Sequence, residues 1–555
     1  MQLTRSAHAD TFCRDHLPPP EEWPELRFDI ADVRYPERLN CATELLDRTV
    51  QRHGAQRECL RSPTARWSYG ELLEAANRVA HVLVEDLGVV PGNRVLLRGP
   101  NNPWLVACWF GVLKAGAVAV TTMPLLRAGE LATVAEIARV DLALCDHRFT
   151  EDLERADIPG LRLVPYGGGD AGDLIRRAER QPATFAACDT AADDVALLAF
   201  TSGTTGRPKA TMHFHRDVLA IADTFSKHVL RPSPEELFTG SPPLAFTFGL
   251  GGLVVFPLRA GAATLLVEKA TPGELADLIA EHGVSVVFTA PTAYRAMLAA
   301  GKAERLRGLR AGVSAGEHLP ESTWRAFHEQ TGVRLIDGIG TTELLHIFIA
   351  SAGDEIRPGS TGRVVPGYTA AVLDEAGNPA PPGQLGRLAV KGPTGCRYLA
   401  DPRQREYVQH GWNLTGDTYV QDEDGYFWYQ ARSDDMIISA GYNIAGPEVE
   451  EALLAHPDVA ECGVVGVPDE QRGQLVTAYV VLRPGVAGDQ AKAAELQAFT
   501  RERIAPYKYP RAVVFVERLP RTSTGKLQRF RLRQAGAEAG VAAAAPGGAT
   551  PAPAP

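Results

Sequence analysis

The sequence predicts an α/β fold: a large N-terminal domain of two α/β sheets plus a small β-barrel subdomain, then a small α+β C-terminal domain. Three observations predict it. Between residues 94 and 343, short apolar runs alternate with amphipathic stretches of helical period, the mark of parallel strands joined by helices. From about residue 355 the texture changes to short strands separated by turns. After "RSDDMIISAGYN" (432–443) a fresh strand–helix pattern begins. These changes place a large domain at 1–433, with its β subdomain at about 355–430, and a small domain at 435–535. Residues 536–555 are rich in Ala, Pro and Gly, have no core to join, and read as a disordered tail.

Residues 41–85 read as a helix, a strand around "ARWSYGEL" and a second helix. "RVLLRG" (94–99) is a buried strand. "WLVACWFGVLKAGAVAV" (104–120) carries Lys114 and is short for a membrane span, so it reads as a buried helix running into a strand. "ELATVAEIARV" follows as a helix and "DLALCD" as a strand. "GAATLLVE" (261–268), "ELADLIAEHG" (274–283) and "VSVVFTAP" (284–291) make a strand–helix–strand unit. "LRAGVSAGEHLP" (309–320) and "GVRLIDGIGTTE" (332–343) each end a strand in a loop of small residues, where open α/β sheets bind ligands. Asp-Glu-Ala-Gly-Asn in "STGRVVPGYTAAVLDEAGNPAPPGQLGRLAVKGP" is a hairpin loop. In the small domain, "GPEVEEALLAHP" and "AKAAELQAFTRERI" are helices, and "VAECGVVGVP", "LVTAYVVLRP" and "AVVFVERLP" are strands.

The apolar run Leu197–Phe200 leads into "TSGTTGRPK" (201–209). Gly203 and Gly206 let the backbone approach a ligand closely. Successive N–H groups in such a loop make an anion-binding concavity. Thr201, Ser202, Thr204 and Thr205 add hydroxyl donors, and Lys209 adds a positive charge. A polyphosphate fits these features; the bland alternative is a solvated Gly/Ser/Thr surface loop. A Walker A loop is excluded, because Arg-Pro-Lys follows Gly206 where that motif needs Lys-Ser/Thr.

A net charge of −10 gives a nucleic-acid role no electrostatic support. Eight scattered cysteines without a Cys-x-x-Cys pair argue against a zinc site or a disulfide framework, and suit a reducing cytoplasm. The stretch "MQLTRSAHADTFCRDHLPPP" has no apolar core of a signal peptide. A cytoplasmic location and no membrane span are the expectations.

"TSGTTGRPK" is joined by "GIGTTE" (338–343), "LTGD" (414–417), "ARSDDMIISAGYNI" (431–444) and "LPRTSTGKLQR" (519–529). Five such loops in this order resemble the acyl-adenylate-forming (AMP-binding) superfamily of acyl- and aryl-CoA synthetases, adenylation domains and luciferases. The resemblance covers roughly residues 40–535. "MHFH", "SAGEHLP" and "GIGTTELLHIF" look most like benzoate- and 2-aminobenzoate-CoA ligases. The resemblance implies that ATP converts a carboxylate to an acyl-adenylate with loss of pyrophosphate. The thiol of coenzyme A then displaces AMP.

Carried over residue by residue, Thr201, Ser202, Gly203, Thr204, Thr205, Gly206 and Lys209 hold the β- and γ-phosphates. Thr342, beside Gly340 and Thr341, contacts the α-phosphate. Glu343 is the magnesium-associated glutamate, a hard oxygen ligand suited to Mg²⁺. Asp417 takes the ribose hydroxyls and Arg432 makes a second ribose or phosphate contact. Gly316, Glu317, Asp337, Gly338 and Ile339 surround adenine. Ile339 stands where the family often has an aromatic residue, and covers the base without stacking. Ala431 replaces a common glycine. Lys526 is the adenylation catalyst, Asp434 the hinge of a mobile small domain, and Gly441 with Tyr442 lines the pantetheine tunnel.

Phe246, Thr247, Phe248, Gly249, His346 and Ile347 are expected to line the acyl pocket, a flat apolar slot suited to an aromatic ring. His213 and His215 resemble a metal pair, but no second cluster accompanies them, and they read as supports of the phosphate loop or pocket wall. The sequence thus points to an aryl-CoA ligase using ATP, Mg²⁺ and coenzyme A on benzoate or 2-aminobenzoate. Two alternatives stay open: an enzyme loading the pantetheine of a carrier protein, and a non-catalytic nucleotide-binding protein. Arg472, Lys508 and Arg511 suit either the CoA 3′-phosphate or an acidic carrier. Ring substituents and oligomeric state are not fixed.

Overall fold

The computed structural model describes residues 3–201, 208–433, 435–439, 442–469, 472–504, 507–522 and 525–538. A six-stranded sheet runs in the order Arg162–Tyr166, Leu142–Asp146, Arg94–Arg98, Val118–Thr122, Val195–Thr201, Lys209–Phe214. Its pairings are parallel except the last, where Lys209–Phe214 runs antiparallel to Val195–Thr201. A nine-stranded sheet carries a parallel centre that includes Leu237–Gly240, Val286–Thr289, Ala311–Ser314 and Leu335–Gly340. Antiparallel strands, Ile347–Ala350 and Arg66–Ser68 among them, flank that centre.

Side chains alternate across these strands, and the cores follow the alternation. Val95 and Leu97 enter the core shared by the two sheets, while Leu96 enters the core on the far face of its sheet. Val286 and Phe288 likewise face the shared core, and Val287 the far side of the nine-stranded sheet. The helices Tyr69–His81 and Pro103–Lys114 pack on each other in the shared layer. Lys114 is fully buried there and pairs with Asp47 at 2.6 Å. The strand expected around "ARWSYGEL" is Arg66–Ser68. Ser68 accepts from the Glu71 N–H and Glu71 returns a bond to the Ser68 N–H, a capping box that starts a helix at Tyr69.

The β subdomain is antiparallel, with Leu385–Lys391 and Trp412–Gln421 at its centre. Phe427–Arg432 pairs with Trp412–Gln421 and sets Asp417 opposite Arg432. The smaller C-terminal unit is a five-stranded sheet built on Val459–Asp469 and Gly473–Leu482, with the helices Gly446–Leu454 and Gln490–Arg503. Among the described residues no helix is long and apolar enough to cross a membrane.

Candidate functional site

Lys209 opens the strand Lys209–Phe214 opposite Thr201, the last residue of its antiparallel partner Val195–Thr201. Thr201 is half-buried, and its Oγ1 has no partner among the described residues. Ser202, Gly203, Thr204, Thr205 and Gly206 lie outside the described residues, as do Asp434 and Gly441.

A second segment, around Tyr398, is zipped onto Lys209–Phe214. The Met212 N–H donates to the Arg397 carbonyl at 2.8 Å and the Leu399 N–H to the Ala210 carbonyl at 2.9 Å. A fully buried Arg397–Asp217 ion pair reinforces this seam. The combined unit grips three consecutive residues of the "GTTE" loop. Tyr407 and Thr341 share a hydroxyl–hydroxyl bond of 3.0 Å. His213 Nε2–H donates to the Thr342 carbonyl at 2.8 Å. The Tyr398 hydroxyl donates to Glu343 Oε1 at 2.5 Å and accepts from Lys209 Nζ at 2.7 Å. His213 is buried and neutral, its pKa lowered to about 3 by desolvation. Burial, then the Glu343 charge, pushes the Tyr398 phenol far up, so it keeps its proton. The loop turns back through Leu345 at φ 70°, a left-handed conformation that a bulky residue adopts only under restraint.

Opposite this loop, Arg432 Nη1 lies 3.5 Å from Asp417 Oδ1 and donates to the Thr415 carbonyl at 3.3 Å. Gly416 sits between them at φ 76°, and a Cβ there would lie 3.0 Å from Arg432 Nη2. On the nine-stranded sheet, the register sets Ser314 beside Asp337. Ser314 Oγ and Asp337 Oδ1 are buried without a partner among the described residues. Burial raises Asp337 well above the usual carboxylate range. Burial also raises Glu317, which faces Arg521 at 3.4 Å.

Lys526 of the C-terminal unit reaches into this cleft. Its Cε lies 3.9 Å from where a Cβ on Gly316 would stand. Desolvation lowers its pKa, with the charges of Asp417, Arg432, Glu317 and Glu343 all acting on it. Its side chain keeps contact with solvent, so the cleft is crowded but not sealed. Arg521, absent from the sequence-based set, holds the turn: it donates to the Gly525 carbonyl at 2.7 Å and pairs with Glu461 at 2.7 Å as well as with Glu317. Glu451 also receives the Ser322 N–H across the same junction at 2.9 Å.

Beside the loop lies His346, 3% exposed, among the rings of Phe256 (4.5 Å between centroids), Phe248 (5.6 Å), Phe225 (5.7 Å) and Phe288 (6.3 Å). Neither of its ring nitrogens makes a hydrogen bond of good geometry among the described residues. Burial lowers its pKa to about 3, so it is neutral. Phe246, Thr247 and Phe248 are half-buried at the start of the helix Thr247–Leu250, and Gly249 is buried behind them. Ile347 differs from its expected place on the pocket face. It is 1% exposed and packs over Gly338, where a Cβ would come within 2.7 Å of its Cδ1. Gly340 has no room for a Cβ either, since the His346 carbonyl carbon would stand 2.6 Å from it.

Two family models account for these parts. The AMP-binding enzyme model matches residues 46–398, and the AMP-binding enzyme C-terminal domain model matches residues 448–526. The chain belongs to the AMP-binding enzyme family. This AMP-binding enzyme is 34% identical over 519 residues to the benzoate–CoA ligase of Thauera aromatica, covering 91% of this chain and 97% of that protein. It superposes with a TM-score of 0.88 on the anthranilate CoA ligase AuaEII solved with anthranoyl-AMP, at 34% identity over 92% of this chain and 100% of that one. A benzoate CoA ligase from Burkholderia xenovorans LB400 gives a TM-score of 0.83 at 32% identity, over 89% of this chain and 100% of that one.

In this AMP-binding enzyme, Lys209, Thr341, Thr342, Glu343, Asp417, Arg432, Glu317 and Lys526 converge on one cleft, although they span more than half of the chain. Tyr442 stays apart: it is 52% exposed and stacks on Tyr507 at 4.4 Å. Tyr398, Tyr407 and Arg521 escaped the reading by motif because "CRYLADP", "REY" and "LPR" carry no chemistry until the chain folds. Among the described residues, His456, Asp458 and Glu495 group as metal ligands would, but Lys492 already bridges the two acids at 2.7 and 2.6 Å. His213 and His215 have separate partners among the described residues. His213 holds the Thr342 carbonyl, and His215 Nδ1 accepts the Cys41 N–H at 3.2 Å.

Proposed function

We propose that the chain is an ATP-dependent aryl-CoA ligase, forming an aryl-adenylate from a benzoate- or 2-aminobenzoate-class acid and then its CoA thioester. One observation carries the reading. Lys526 enters a cleft that also holds Lys209, Thr342, Glu343, Asp417 and Arg432, near the cluster of aromatic rings around His346. Phosphate-binding, ribose-binding and acid-binding groups thus meet within reach of one mobile cation.

In this reading the acid's carboxylate attacks the α-phosphorus of ATP and pyrophosphate leaves. Lys526 neutralises charge growing on the carboxylate and phosphate oxygens, and Thr342 holds the α-phosphate. Asp417 and Arg432 hold the ribose, while the unpaired polar atoms of Ser314 and Asp337 suit the polar edge of the base. Glu343 fits magnesium: Tyr398 takes Oε1, and no protein group among the described residues takes Oε2, leaving one carboxylate oxygen as is usual beside phosphates. The ion supplies charge neutralisation when bound. The aromatic rings around His346 favour a planar acid, and the unpaired ring nitrogens suit its carboxylate or an ortho substituent. Withdrawal of the small domain, from about residue 435, then clears Lys526 for the thiol of CoA. Lys508 is held by Glu448 at 2.6 Å and Arg511 by the Tyr509 hydroxyl at 2.6 Å in this arrangement, so CoA phosphates would have to recruit them.

The test incubates the protein with ATP, Mg²⁺, CoA and a panel of aryl and fatty acids, with thioesters identified by mass. Aryl-CoA products support the reading; fatty acyl-CoA alone overturns it.

A further inference from the structure

We propose that Tyr398 is a positioning residue that keeps Lys209 and Glu343 from pairing with each other, so that both charges stay available to the phosphates of ATP. The inference rests on the nucleotide reading of the cleft given above.

The hydroxyl lies between the two charges, 2.7 Å from Lys209 Nζ and 2.5 Å from Glu343 Oε1. Among the described residues the ammonium and the carboxylate form no direct ion pair. An ammonium only donates and a carboxylate only accepts, so the phenol must accept from one and donate to the other. The direction of both bonds is therefore fixed. Opposite charges in such a crowded place attract strongly. If they closed on each other, a nucleotide would have to part them before using either.

A spacer works only if it cannot move aside. The Tyr398 ring is 1% exposed and packs with Cys396, Tyr407 and Val408. Its N–H donates to Gln404 Oε1 at 2.9 Å, and its backbone bridges to Thr211. Lys209 lies 4.5 Å over the Tyr398 ring and 6.0 Å from that of Tyr407, so the ammonium is held on an aromatic surface as well as by the hydroxyl. The strand bearing Lys209 and the loop bearing Glu343 are far apart in the sequence, and Tyr398 ties their charged groups at a set separation.

The test uses the full chain and calorimetric binding of ATP with Mg²⁺, and of AMP, to wild type and to Tyr398→Phe. AMP lacks the phosphates that Lys209 serves, so its affinity should stay within about twofold and also report that the variant is folded. ATP affinity should fall ~10-fold or more, the scale of one lost bond to a charged group. In a Glu343→Gln background there is no carboxylate to collapse onto Lys209, so Tyr398→Phe should cost no further ATP affinity. Wild-type ATP affinity in Tyr398→Phe, an equal loss for AMP, or an additive loss in the double variant would each overturn the proposal. A wild-type protein that binds neither nucleotide would instead overturn the functional reading, and this proposal with it.

Discussion

Replacing Lys526 by alanine removes a cation that the small domain sends into the cleft. The side chain crosses Gly316 with Cε 3.9 Å from the absent Cβ, and its charge feels Glu317, Glu343 and Asp417 as attraction and Arg432 as repulsion. Burial still outweighs the acids, since the pKa is lowered. The ammonium sits among these charges while its side chain stays open to solvent, placed to meet oxygens developing negative charge. Loss of one such contact costs about 2.7–4 kcal/mol, or ~10²–10³ in rate. Lys526→Ala should slow aryl-AMP formation by that factor. Thioester formation from supplied aryl-AMP should stay within a few-fold of wild type, because the lysine leaves before the thiol acts. A quenched single-turnover assay resolving aryl-AMP and aryl-CoA measures both. The depressed pKa adds a sign. As pH rises, the charge is lost below the ordinary lysine range, so adenylation should decline there, and the decline should move upward in Lys526→Arg. Equal damage to both half-reactions would refute the assigned role.

The pocket geometry separates two neighbours: Phe248→Ala should lower kcat/KM for the aryl acid by ~10-fold or more, whereas Ile347→Val, behind the wall, should cost ~1 kcal/mol of stability and little activity, as thermal unfolding and steady-state kinetics will show. Asp434→Pro, which fixes φ at the expected hinge, should keep pyrophosphate release in a single turnover while thioester formation slows by orders of magnitude; wild-type thioester rates would move the hinge elsewhere. His346, neutral down to about pH 3 in the fold, takes its proton near pH 6.5 when unfolded. Acidification below about 6.5 therefore protonates the unfolded state first, and this ring alone costs ~1.4 kcal/mol of stability per pH unit down to about 3. His346→Phe should flatten the loss of Tm between pH 7 and 5; an unchanged slope would show that the ring is not what titrates.

Much of this molecule was legible in its sequence because strands and helices leave periodic apolar signatures. Arg94–Arg98, Leu142–Asp146 and Pro272–His282 stand where the pattern placed them. At "ARWSYGEL" the strand is short, Arg66–Ser68, because a capping box at Ser68 switches the chain to the helix expected next.

The loops "GTTE", "LTGD" and "TSTGK" named the candidate residues only through their resemblance to a known family, since read alone "TGD" is a turn and a lysine after Thr-Gly a surface charge. What the sequence alone determined was therefore the α/β plan and the family, both written in local composition and order. The tertiary structure decided which groups face each other. It put Tyr398 between Lys209 and Glu343, placed Lys526 over Gly316, and turned Ile347 into the core while His346 met four aromatic rings. Those outcomes depend on strand register and on packing between segments distant in the chain, and a contact between distant segments leaves no trace in the local pattern of either.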